Sequence, residues 1–131
     1  MNTRVVQIVS SIFLGIIALF CTFLPDEVLT IFHITESQYL ILIIQILGAL
    51  YFGFAITNWM AKAILIGGIY GKALYLGNFV HFLVGTLVLL RWNMKNEFPS
   101  TILIIMLIGY IIFAGLYALY LFVNPRFLDK K

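Results

Sequence analysis

The chain has 131 residues, of which 63% are hydrophobic and 10% charged, with a formal net charge of +3. Soluble domains average about 25% charged residues, and a domain this small leaves too much of its surface in water to hide so much apolar area, so a soluble fold is excluded. The eight cationic residues are scattered over connections and ends rather than gathered in a stripe; the positive balance is the one membrane insertion selects, not the footprint of a nucleic acid.

The first apolar stretch covers residues 5–24 behind Arg4. It exceeds the 7–15 residues of a secretory h-region, and no small-x-small site closes it, so a retained helix is expected rather than a cleaved signal. A lipoprotein site is excluded because Phe20 is bulky where cleavage before Cys21 needs a small residue. Cys21 is the only cysteine, which rules out an intramolecular disulfide and any dithiol relay within the chain, and with it the four-helix quinone-linked disulfide oxidases.

Residues 25–37 follow. Asp26, Thr30, His33 and Ser37 recur at helical spacing, while Val28, Leu29, Ile31 and Phe32 share another face. Pro25 with Asp26 and Glu27 behind it suits a helix start, so the spacing predicts a short amphipathic helix in the outer interface. The second span is predicted at 39–58, the third at 73–90 and the fourth at 101–123; each is close to the ~20 residues that cross a hydrocarbon core, and none holds an Asp, Glu, Lys or Arg. Between the second and third spans, Gly67-Gly68-Ile69-Tyr70-Gly71-Lys72 lacks P-loop spacing and has Ala73 where a Ser or Thr would follow. A tight turn is expected there, with Lys62 and Lys72 meeting anionic headgroups. The expected fold is all-α: one four-span membrane domain over 1–131, a four-helix transmembrane bundle with a short interfacial helix after the first span.

With four spans, one side carries Arg4, Lys62, Lys72, Arg126, Lys130 and Lys131, and the other carries Arg91 and Lys95. Six against two places both ends in the cytoplasm of an inner, cytoplasmic-type (plasma) membrane. Trp59 and Trp92 stand just past span ends, where interfacial tryptophans sit. An internal echo, Ile41-Leu42-Ile43-Ile44 before Gly48 and Ile102-Leu103-Ile104-Ile105 before Gly109, is too cheap in so Ile-rich a chain to establish a duplication.

Polar residues inside spans carry the remaining signal, because uncompensated polar groups are costly in hydrocarbon. The third span has Asn78 and His81, with Gly77 and Gly85 four residues either side of His81. The second has Gln45, Gly48, Tyr51 and Gly53; the fourth has Gly109, Tyr110, Gly115 and Tyr117. At ~1.5 Å per residue, His81 falls near the midplane, with Gln45, Asn78, Tyr51 and Tyr110 within about a turn and a half in depth. These five are the candidate polar centre, and Gly48, Gly53, Gly77, Gly85, Gly109 and Gly115 are the candidate packing positions. The centre either fixes helix register through hydrogen bonds or offers His81 to a ligand or a proton. No cofactor is expected. His33, the only other histidine, lies at the wrong depth to share a haem with His81, and no Cys/His/carboxylate set supplies three or four metal ligands.

The absence of acids and arginines from the spans excludes a proton-coupled multidrug antiporter, a voltage sensor and a Ser-His-Asp hydrolase. The residues Phe23-Leu24-Pro25 at the end of the first span, and Gly48-Ala49-Leu50-Tyr51-Phe52-Gly53 in the second, resemble those of small four-helix membrane proteins of the DoxX-like kind. That resemblance implies a compact bundle, an accessory subunit near membrane redox or stress systems, and transfers no functional residue. The expected function is a non-enzymatic membrane protein that binds a partner or a lipophilic small molecule. An oligomeric channel or transporter, and a membrane enzyme acting on a lipophilic substrate, are the alternatives. Expected partners are the bilayer, a lipophilic ligand, and another membrane protein or further copies of the chain.

The cation count predicts that single cysteines at Thr35 and Asn96 label from outside intact cells, whereas those at Gly68 and Asp129 stay protected. External labelling at Asp129 would reverse the topology.

Overall fold

A computed structural model describes residues 3–62, 69–95 and 100–123. Its elements are α1 (Thr3–Phe23), α2 (Pro25–Ile31), α3 (Gln38–Ala61), α4 (Ile69–Lys95) and α5 (Thr101–Ala118), continued by a π-helical segment, Leu119–Val123. Among the described residues four helices are long and apolar enough to cross a membrane: Thr3–Phe23, Gln38–Ala61, Gly71–Lys95 and Thr101–Phe122. The shortest, at 21 residues, spans about 32 Å at 1.5 Å per residue, against a hydrocarbon core of about 30 Å. The fold is all-α, and the protein is a multi-pass membrane protein. The turn expected at Gly67 and Gly68, and the cations Arg126, Lys130 and Lys131, lie outside the described residues.

Two helices run longer than their apolar composition indicates. α4 passes through Arg91 and Trp92 to Lys95, and α3 passes Asn58 to Ala61. Charge marks where hydrocarbon ends, not where backbone hydrogen bonding ends, and Lys95 in the last turn of α4 suits the negative end of the helix dipole.

The expected helix after the first span is present but shorter than the 25–37 pattern. Pro25 occupies its first turn, with Asp26 and Glu27 beside it. Its end is a Schellman motif: the Ile34 N–H donates to the Leu29 carbonyl and the His33 N–H to the Thr30 carbonyl, both at 3.0 Å. The motif needs a left-handed residue, and His33 supplies it with φ of 55°, a place that glycine usually takes.

The contacts divide the chain into two compact units, Met1–Ala63 and Ile64–Lys131. The first is a hairpin of α1 and α3. Ser11 meets Ala55 and Thr22 meets Gln45, so rising positions on one helix face falling positions on the other and the pair is antiparallel. Its seam sets mostly small residues around one leucine: Leu14 and Ala18 are fully buried on α1, and Gly48, Ala55 and Ala61 are buried on α3. A methyl placed on Gly48 would stand 2.9 Å from the Thr22 amide nitrogen and run into its hydroxyl. A glycine is required there because the two backbones nearly touch.

The second unit is a hairpin of α4 and α5, also antiparallel, since Tyr75 meets Tyr117 and Phe82 meets Phe113. Its seam is aromatic: Tyr75, Phe82, Tyr110, Phe113 and Tyr117 are all buried. Five residues beyond Tyr117, Phe122 would lie about 140° away round an α-helix. The π segment closes on the fifth residue instead, which swings Phe122 to within 5.6 Å of Phe79, while Tyr120 reaches Tyr75 at 6.1 Å. Away from the seams the helices display large apolar side chains such as Leu42, Ile46, Leu50, Val84, Leu87 and Ile112. On a soluble protein such a surface would aggregate; here it matches lipid tails.

The glycines expected to mark close approach divide. Gly48 and Gly85 do so, whereas a Cβ on Gly53, Gly77 or Gly115 meets nothing within 4 Å. Gly48→Leu should therefore destabilise the protein by about 1–3 kcal/mol through overpacking, read as a lower midpoint in thermal or denaturing-detergent unfolding. Gly53→Leu, on the same helix, should leave the midpoint nearly unchanged. Equal losses would contradict the seam described for α1 and α3.

Candidate functional site

The five polar-centre candidates are shared between the units, with Gln45 and Tyr51 on α3 and Asn78, His81 and Tyr110 in the second hairpin. Each unit has its own polar arrangement.

In the second hairpin, Asn78, Phe82 and Gly85 follow one another up α4 at helical spacing, with His81 one position round from Phe82. Phe82 has no exposure and is stacked on two rings of α5: Phe113, with centroids 4.9 Å apart, and Tyr117 at 5.7 Å and an interplanar angle of 13°. The Tyr110 ring meets Phe82 edge-on at 5.3 Å. Its hydroxyl lies 3.3 Å from His81 Nε2, with the tautomer deciding which group donates. His81 thus has a polar partner on the facing helix in Tyr110.

Gly85 makes this geometry available. It stands one turn beyond His81, and a methyl there would run into the Tyr110 ring. Only a residue without a side chain lets that ring lie against α4 and turn its hydroxyl toward His81. Asn78 is fully buried and donates to the Leu74 carbonyl of its own helix at 3.0 Å. Gly109 is half-buried beside Tyr110.

In the first hairpin, Gln45 is exposed and donates to the Thr22 carbonyl at 3.4 Å, while Tyr51 is half-buried. The polar core of this unit lies elsewhere, at the end where α1 begins and α3 finishes, and the reading of the spans missed it. Gln7, Ser10 and Asn58 have no exposure and Ser11 has 7%. Asn58 Nδ2 donates to Ser10 Oγ at 3.2 Å, Ser10 Oγ to the Gln7 carbonyl at 3.1 Å, and Ser11 Oγ to the Ala55 carbonyl at 2.6 Å. The signal was present in the spacing: Gln7, Ser10 and Ser11 stand at i, i+3 and i+4, one face of a helix.

Chemically, the second hairpin offers a half-buried imidazole joined to a phenol among aromatic faces, a set that can exchange hydrogen bonds and pack against flat or apolar groups. Among the described residues, no three His, Cys, Asp or Glu side chains gather where a metal ion could be held. No protein-family model, curated protein or solved structure matches the chain.

Tyr110→Phe keeps the ring and removes the hydroxyl. It should cost about 0.6 kcal/mol, the average for hydrogen bonds between membrane helices. Gly85→Leu should cost more, about 1–3 kcal/mol, because it displaces the ring itself. Unfolding titrations in mixed detergent micelles measure both, and a Tyr110→Phe loss as large as that of Gly85→Leu would contradict the division between ring packing and hydrogen bond.

Proposed function

We propose that this protein is a non-enzymatic membrane protein that binds a lipophilic small molecule, or the apolar surface of a membrane partner, at the His81–Tyr110 centre. The observation that carries the reading is the 3.3 Å approach of the Tyr110 hydroxyl to His81 Nε2 within an otherwise aromatic seam. Polar groups at such depth are costly and tend to serve a purpose. An imidazole–phenol pair supplies the few directed hydrogen bonds, and Phe82 and its neighbours the apolar contact, that together typify sites for lipophilic ligands. The likeness to DoxX-like proteins is proposed at the level of architecture and assigns no residue a role. A cytoplasmic-type membrane with both termini inside is part of the same proposal and rests on the cation distribution.

The test separates binding from folding. Native mass spectrometry and extraction of the full-length protein, purified gently from its own membranes, should reveal a co-purifying apolar compound. His81→Leu should remain helical by circular dichroism, with a modestly lower midpoint, and lose that compound. A parent protein that carries nothing beyond bulk lipid, or a variant that carries the same compound in the same amount, would overturn the proposal.

A further inference from the structure

We propose that the end of the first hairpin where α1 begins and α3 finishes is a binding site for the phosphate of an anionic membrane lipid, with Arg4 and Lys62 as its charges and Trp59 as its platform. The Asn58–Ser10 hydrogen bond pins the two helices together at this end. Arg4 stands six residues before Ser10 and Lys62 four after Asn58, so in an antiparallel pair both project the same way, by about 9 Å and about 6 Å along the axis. Both cations therefore reach one boundary layer.

Lys62 is held there rather than left to wander. Its Nζ sits 3.2 Å from the centroid of the Trp59 ring, a cation–π contact that keeps the ammonium at the depth of an interfacial tryptophan. Charge complementarity names the partner. The acids of this unit, Asp26, Glu27 and Glu36, lie beyond the far end of α1, about 30 Å away along the helix and several screening lengths at physiological salt. The first turn of α1 has no acid either, so its positive dipole end adds to the two cations. Exposed apolar side chains stand at the same end, with Val5 50%, Trp59 48% and Met60 69% exposed. Positive charge beside exposed apolar side chains fits a phosphate that brings acyl chains with it.

The full-length protein in detergent is titrated with phosphatidylglycerol, phosphatidylcholine or inorganic phosphate, and read by native mass spectrometry and melting. One phosphatidylglycerol per chain should be retained and should raise the midpoint. Lys62→Gln should weaken retention about fivefold, since a cation near an anionic surface is worth about 1 kcal/mol, and the Arg4→Gln, Lys62→Gln pair should weaken it about 25-fold. Lys95→Gln removes an exposed cation at the end of α4, and should change nothing. Equal weakening by Lys95→Gln would mean diffuse attraction and overturn the site. Equal retention of phosphatidylcholine would overturn the role of charge, and equal stabilisation by inorganic phosphate would overturn the assignment to a lipid.

Discussion

Hydrocarbon offers no hydrogen bonds, so every backbone N–H and C=O placed in it must find a partner within the protein. That constraint selects continuous helices for the four long apolar segments. It also decides where polar side chains go, since each amide or hydroxyl inside a span must be answered by another protein group. The two seams are the two answers this chain gives. In the first hairpin, serines and carboxamides bond to each other and to carbonyls of the facing helix. In the second, an imidazole–phenol pair joins the helices, Asn78 bonds back to its own helix, and packing falls to stacked rings.

The seams also differ in where a glycine makes room for the facing helix. In the first, the glycine is on the second helix of the pair, with Gly48 against Cys21 and Thr22; in the second it is on the first helix, with Gly85 against Tyr110. The repeated Ile-rich motif would superpose Gly48 on Gly109, yet the close approach of the second hairpin falls at Gly85. The repeated letters do not coincide with a repeated contact. The first seam therefore relies on small residues and hydrogen bonds, and the second on aromatic area, where each buried ring contributes far more contact than an alanine.

Much of this was legible because composition alone reports solvent. The four spans followed from runs of apolar residues, and the start of α2 from Pro25, Asp26 and Glu27. The end of α2 was not legible, because the left-handed position that stops it holds a histidine, not the glycine that would have announced it. The length of α4 was underestimated because Arg91 reads as the edge of the lipid, while the helix continues into the boundary layer. Glycines were legible as a class but not as a face: Gly48 and Gly53 are five residues apart, about 140° round the helix, so both cannot look toward α1. Depth set Gln45, Asn78, Tyr51 and Tyr110 alike within reach of His81, and did not single out Tyr110 as the partner. The Gln7–Ser10–Ser11–Asn58 cluster was passed over because those residues sit near span ends, where polarity raises no alarm.

The turn at His33 also bears on biosynthesis. Its two hydrogen bonds join residues three and five apart, so the stop can form once Ile34 has been made, before α3 exists. Helical segments settle in about a microsecond, whereas each residue takes roughly a tenth of a second to add. α3 would then emerge behind a completed bend, already directed back along α1. The contacts that join α1, α2 and α3 to one another lie within Met1–Ala63, so each of these helices has its partner once α3 is complete. For this half of the chain, the order of manufacture and the map of contacts agree.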